Sequence, residues 1–64
     1  MQERRVFDDR RGCYIEVELA EMRAWNLGAQ AIAWLRSGQQ WWAREFARDA
    51  AHYAILALGA ANRL

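Results

Sequence analysis

The sequence predicts an α+β fold in which an N-terminal β-hairpin packs on an antiparallel pair of helices. Residues 13–19 alternate apolar with polar side chains, which is typical of a half-buried strand. From about residue 20 onward, apolar residues recur at helical spacing, and the strongest break falls at residues 36–39. A chain of 64 residues is near the lower limit for independent folding, so we expect a single domain over residues 1–64.

The hairpin is predicted over about residues 4–18. Its first strand is the short segment Arg4–Phe7, and residues 8–12 form the connection. Gly12 can adopt the positive φ that a bulged hairpin loop requires. The loop contains three, four or five residues, so the register stays open; an arginine at 4 or 5 faces a glutamate at 16 or 18. The predicted inner face of the second strand carries Cys13, Ile15, Val17 and Leu19.

Helix one is predicted over about residues 20–36. Its polar residues, Arg23, Asn26 and Gln30, form one thin stripe, so we expect the hairpin and helix two to enclose the two apolar flanks. A glycine inside a helix is costly relative to alanine, so Gly28 predicts a close backbone approach at that position. Residues 19–38 loosely resemble a helix-turn-helix, but they lack the exposed polar side chains that read bases.

Helix two is predicted over about residues 40–60. Gly38 suits the left-handed residue that ends helix one, and Ser37 with Gln40 has the spacing of a capping box for helix two. Because the connection is short, the two helices are expected to be antiparallel. Residues 54–61 are apolar on all sides of helix two, so this end has to be buried by other parts of the chain or by a partner.

The most regular feature of helix two is a stripe of alanines, which we call the alanine seam. The steps between its members alternate between four and three residues, as at the a and d positions of a heptad. This spacing favours close helix packing and assembly as a homodimer, although alanine is also the best helix former. The sequence leaves open whether the seam packs within the chain or across a dimer. The seam comprises Ala43, Ala47, Ala50, Ala54, Ala57 and Ala61.

Tryptophan is abundant for so short a chain, with four residues. A domain of this size buries only about 60% of its unfolded surface, so several of these rings have to lie at the surface or under a partner. Trp34, Trp41 and Trp42 bracket the predicted turn, and either Trp41 or Trp42 is expected to be an exposed anchor. Tryptophan and arginine are enriched at interface hot spots, which predicts a protein-binding site. The predicted site comprises Trp41, Trp42, Arg44 and Arg48.

The charge balance argues against a general attraction to nucleic acid or membranes, because the net charge is +1. The alternative hypothesis is a small DNA-binding regulator that contacts phosphate through the arginines of its β-hairpin. Asp8 and Asp9 lie among these arginines and oppose their charge, which disfavours the DNA hypothesis. The arginines concerned are Arg4, Arg5, Arg10 and Arg11.

No recognisable catalytic motif is present, so no catalytic residue, cofactor site or metal site is predicted. Glu45, Asp49 and His52 share one helix face, but a metal site would need matching ligands from a second helix, so we interpret them as a solvent-exposed, salt-bridged face. Cys13 is interpreted as an inert residue on the apolar face of its strand. A lone cysteine and a charged N-terminal segment predict a cytoplasmic location, and no apolar stretch is long enough to span a bilayer.

Together these features predict a non-enzymatic protein-binding module that acts stoichiometrically. The chain shows no resemblance to a particular family. Chains of this size are common among the inhibitors that phages and mobile elements encode. The expected role is therefore an anti-CRISPR-like inhibitor of a host defence, or an inhibitor of a regulatory complex.

Overall fold

A computed structural model describes residues 4–61 and shows a two-stranded hairpin followed by two helices that pack against each other. The predicted α+β fold is confirmed. The molecule is elongated, with extents of 44 × 20 × 16 Å, and neither helix in residues 4–61 has the length and apolar character needed to cross a membrane. The elements are β1 (Arg5–Asp8), β2 (Cys13–Glu16), α1 (Val17–Arg36) and α2 (Gln40–Ala61).

The hairpin has the register that the sequence left open. β1 and β2 pair antiparallel with Arg5 opposite Glu16, one of the predicted pairs, and the connection contains the four residues 9–12. The backbone carbonyl of Asp8 accepts hydrogen bonds from the N–H groups of residues 11 and 12 at 3.2 and 2.8 Å. Gly12 has a φ of 69°, the left-handed conformation predicted for it.

The second strand is shorter than predicted, and α1 begins earlier. We expected the strand to continue to residue 19, but β2 ends at Glu16 and α1 begins at Val17. The N–H of Val17, which has no partner within the helix, donates to the carbonyl of Arg4 at 2.9 Å. The alternation is misleading here because Ile15 and Val17 are both buried, one on the strand and the other on the helix. Leu19, predicted on the inner face, is 37% exposed.

The helices are connected by a Schellman motif. Gly38 has a φ of 82° and donates to the carbonyl of Leu35 at 3.1 Å, while Gln39 donates to the carbonyl of Trp34 at 2.9 Å. This confirms the predicted left-handed end of α1 at Gly38. The predicted capping box is wrong, because the Ser37 hydroxyl donates to the Trp34 carbonyl at 2.9 Å and so terminates α1.

The main core lies at the end of the molecule that the hairpin covers. It is enclosed by the hairpin, the first half of α1 and the second half of α2, and its buried members are Val6, Ile15, Val17, Ala20 and Tyr53. Leu56 and Ala57 pack against it from the apolar end of α2. On the other side of that end, Ile55 and Leu58 are 67% and 62% exposed. Within residues 4–61, therefore, only one side of the segment 54–60 is covered.

The apolar flank of α1 is also less enclosed than predicted. Met22 and Trp25 are 60% and 81% exposed, because the hairpin reaches only the first part of α1. α1 runs without a break through Gly28, so the turn of a helix-turn-helix is not formed. The predicted close approach at Gly28 is wrong, since a Cβ added there would meet no atom within 4 Å. Near the turn, the helices meet through the small buried side chains of Ala31 and Ala43.

Candidate functional site

The candidate binding surface is the aromatic cluster at the helix turn, which we define as Trp34, Trp41, Trp42 and Phe46. Trp34 stacks on Trp42 and on Phe46, with ring centroids 6.0 and 6.4 Å apart. Trp41 meets Trp42 edge to face at 4.7 Å. We predicted one exposed ring, yet Trp41 and Trp42 are both exposed, by 62% and 46%. Ring–ring contacts therefore hold two large aromatic side chains in place while they remain open to solvent.

The predicted arginines lie on the exposed side of the same helix. Arg44 is exposed and forms no ion pair with another residue in the described range 4–61. Arg48 Nη1 lies 3.7 Å from Glu45 Oε2 one turn earlier, and its side chain is 66% exposed. Such an exposed pair contributes about 0–1 kcal/mol, so the guanidinium of Arg48 is free to exchange partners. The aromatic cluster thus has basic side chains on the same helix.

A second polar arrangement, which the sequence analysis missed, connects the hairpin to α2. Asp8 is completely buried, and its Oδ1 accepts the N–H of Arg10 at 3.0 Å and lies 2.9 Å from Nε2 of His52. The His52 side chain is only 16% exposed. The interpretation of His52 as part of a solvent-exposed face is therefore wrong, because the hairpin lies over this side of α2.

Two further contacts surround the Asp8–His52 pair. The guanidinium of Arg10 forms an ion pair with Asp49, one turn before His52 on α2. Nη1 of Arg23, on α1, donates to the Tyr53 hydroxyl at 3.2 Å, and its guanidinium lies 5.3 Å from the centre of the tyrosine ring. Hairpin, α1 and α2 are thus connected by polar contacts at one place, which we call the polar lock.

The ionisation of Asp8 is set by opposing influences. Burial is the largest of them and acts to raise the pKa of Asp8, because it removes water from the charged carboxylate. The His52 and Tyr53 side chains and the backbone N–H groups of residues 10 and 11 outweigh it, so the pKa lies below its ordinary value of 3.8. Oδ2 is buried without a hydrogen-bond partner among residues 4–61.

The polar lock consists of structural contacts, and Cys13 lies outside the contacts that define it. Cys13, which we predicted on the apolar inner face of its strand, is exposed, because it pairs with Asp8 at the loop end of the ladder. No group of three or more His, Cys, Asp or Glu side chains within residues 4–61 is placed to hold a metal ion. Oδ1 of Asp8 and Nε2 of His52 instead pair with each other, as buried polar groups in a structural contact do.

The alanine seam is divided between the interior and the surface. Ala43 is buried against α1, three further members are half-buried, and Ala47 is exposed. The half-buried members are Ala50, Ala54 and Ala57. Ala61 ends α2, and its side chain lies outside the described residues. Part of the seam therefore packs within the chain, and part of it faces outward.

Sequence reasoning found the aromatic cluster but not the polar lock, for a physical reason. Asp8 and His52 are 44 positions apart, and neither belongs to a motif whose spacing would associate them. The exposure of Trp25 was also missed, since its helical spacing is the same whether that flank is covered or open. In comparisons with known proteins, the chain matches no family model, and neither curated proteins nor solved structures give a significant match.

Proposed function

We propose that this protein is a non-enzymatic module that binds a protein partner stoichiometrically through the aromatic cluster. The observation that carries the proposal is that Trp41 and Trp42 remain 62% and 46% exposed while ring contacts fix their positions. Large exposed aromatic residues on a small chain are typical of interaction surfaces.

The conformational cost of binding supports the aromatic cluster as an interaction surface. A side chain that is already held in place loses little conformational freedom on binding, so more of the interaction energy appears as affinity. Trp41 and Trp42 contact each other, and Trp42 is further supported by Trp34. The exposed Arg44 and Arg48 can supply hydrogen bonds to carboxylate or carbonyl groups of the partner at the rim of this surface.

The alternative, a DNA-binding regulator, receives less support from the hairpin. Arg10 is engaged in an ion pair with Asp49, and Arg5 lies directly opposite Glu16 in the ladder. The phosphates of DNA would have to compete with these carboxylates for the arginine side chains, which lowers the contribution to DNA affinity expected from each arginine. We therefore favour protein over nucleic acid as the partner. A cytoplasmic location and an inhibitory role against a host defence or regulatory complex stay predictions.

The test compares capture of the partner by two variants whose substituted residues are similarly exposed. Trp41→Ala should weaken capture by about 30-fold or more, the loss expected at a hot spot. Tyr14→Ala is the matched control, because Tyr14 is 67% exposed but lies on the hairpin. Circular dichroism should report unchanged folding for both. Equal capture by wild type and Trp41→Ala would contradict the proposal.

A parallel measurement examines the DNA alternative. Binding of the purified protein to duplex DNA is titrated with salt, and the double variant Arg10→Ala/Arg11→Ala is measured beside it. We expect weak binding that the double variant scarcely changes. Two results together would favour the DNA-binding regulator. The first is tight binding whose association constant falls by about one log unit per log unit of salt for each phosphate contact. The second is loss of this binding in the double variant.

A further inference from the structure

The two sides of the helical pair differ in what covers them. The hairpin covers the side of α2 that carries Asp49 and His52. Two grooves between the helices are lined by residues at other positions of α1 and α2. Helical geometry at 100° per residue places these positions on the opposite side of α2 from His52. We call this side the open face. It is lined by Trp25, Ile32, Leu35, Ala47, Ala54 and Leu58.

The two grooves of the open face form one continuous surface. The first groove is lined by residues 17, 21, 24 and 25 of α1, and the second by residues 31, 32 and 35. These positions form one stripe along α1, and the second groove lies about two turns further along the helix. Small residues form the floor between the helices, while Trp25, Ile32 and Leu58 are 81%, 52% and 62% exposed beside it. An exposed apolar surface of this kind marks an interaction site, and a partner that covers it has to extend along both grooves.

The total exposed area of the chain is large enough to include one copy's share of a dimer interface. A compact globular chain of 7.5 kDa exposes about 4,250 Å², whereas this elongated chain exposes 5111 Å². Each partner buries roughly 800 Å² in an interface of standard size. The excess of about 860 Å² is spread over the elongated chain, and the exposed Trp25, Ile32 and Leu58 place part of it on the open face.

We propose that the open face binds the open face of a second copy of this chain, which gives a four-helix dimer with a two-fold axis. Such an interface is isologous, so the exposed side chains of each copy fill the small-residue floor of the other. The proposal names one partner of the proposed binding module. Apart from Arg44, it uses residues separate from those of the proposed partner-binding surface, so the two proposals can fail independently.

Charge selects the orientation of the two copies. Glu21 and Arg4 line the end of the open face near the start of α1, beside the exposed Glu18, so these three described side chains carry a net charge of −1. Arg44 lines the other end, beside the exposed Arg36. Copies packed with their turns at the same end would bring four arginines together. Copies packed end for end place each acidic end over a basic one, so the end-for-end dimer is favoured.

The experiment is sedimentation equilibrium of the full chain at tens of micromolar. Wild type should be dimeric, and Ile32→Arg should raise the dimer Kd by about 100-fold or more, because it places an unpaired charge in an apolar interface. Gln30→Arg is the matched control, since Gln30 is exposed and lies about 160° around the same helix from Ile32, and it should remain dimeric. Circular dichroism of both variants separates loss of association from loss of fold.

Charge exchange examines the orientation. Glu21→Arg and Arg44→Glu should each weaken the dimer, and the double exchange should restore it, because both charges of each pair are then inverted. In the same-end arrangement, Arg44→Glu alone would strengthen association by removing like charges, and that result would overturn the end-for-end dimer.

Other outcomes overturn the second copy as the occupant. A monomeric wild-type chain at these concentrations would do so, as would a dimer that survives Ile32→Arg. A monomeric wild type whose partner capture is lost in Ile32→Arg would assign the open face to a different protein. Trp41→Ala should remain dimeric while losing partner capture, which separates this proposal from the function proposed for the aromatic cluster.

Discussion

The two sides of the helical pair illustrate two ways of covering an apolar helix surface. On the side of the hairpin, a buried carboxylate, an ion pair and a hydrogen bond to Tyr53 accompany the apolar core. On the open face, small alanines lie between exposed large side chains, and no element within residues 4–61 covers them. The first side is covered by the hairpin, and the second is covered only in the dimer that we propose.

Specificity has a different physical source on each of the two sides. A buried polar contact has a narrow set of allowed geometries, so the polar lock fixes how the hairpin sits on the helices. Apolar contacts between alanines and exposed side chains are less directional. The open face therefore needs shape and terminal charges to select its partner, which is why its predicted dimer is sensitive to charge exchange.

The largest effect is expected from breaking the polar lock. His52→Ala should lower the free energy of unfolding by about 1–3 kcal/mol, because it leaves the buried Oδ1 of Asp8 with one hydrogen-bond partner fewer while Oδ2 already has none. Urea unfolding at neutral pH measures the change. The sequence alone suggested an exposed histidine and a change below about 0.5 kcal/mol, so the measurement discriminates between the two views.

Arg48→Ala is the matched control for the histidine variant. Arg48 lies one turn before His52 on α2, and its pair with Glu45 is exposed to solvent. We expect a change of less than about 0.5 kcal/mol from this substitution. Similar losses from both variants would mean that the polar lock contributes no more to stability than a surface ion pair.

A second prediction concerns acid. The folded-state pKa of Asp8 lies below the ordinary value of 3.8, so the unfolded chain takes up this proton first as the pH falls. The stabilisation from the ionised carboxylate is complete above 3.8 and is lost as the pH falls through the lower folded-state pKa. Urea unfolding at a series of pH values below about 5 should therefore show decreasing stability.

The Asp8→Asn variant isolates this contribution. Its amide cannot titrate, but its oxygen can still accept the Arg10 N–H. The decline of stability with acid should be shallower in the variant, while the remaining carboxylates contribute equally to both proteins. Parallel curves for wild type and Asp8→Asn would show that the fold does not depend on the charge of Asp8.

The sequence predicted the parts of this molecule that local chemistry determines. Gly12 and Gly38 were identified from turn chemistry, and the end of α1 and the start of α2 followed from periodicity and the break near Ser37. The start of α1 was placed about three residues too late. The polar lock depends on how the hairpin packs against α2, which no local pattern encodes. The covered and open flanks of α1 share the same helical spacing, so periodicity could not say that Trp25 stays exposed.

The smallest effect is expected on the open face, at Gly28. The sequence suggested a close backbone approach there, but a Cβ added at Gly28 meets nothing within 4 Å. Gly28→Ala should then raise the free energy of unfolding by about 0.5–1 kcal/mol, because alanine restricts the unfolded chain and favours the helix. The variant is best made in the Ile32→Arg background, so that self-association does not contribute to its stability.

Ala29→Gly, at the adjacent exposed position, should lower stability by about the same amount. A loss of stability from Gly28→Ala, with the expected loss from Ala29→Gly, would restore the close approach and would mean that the floor of the open face is already filled.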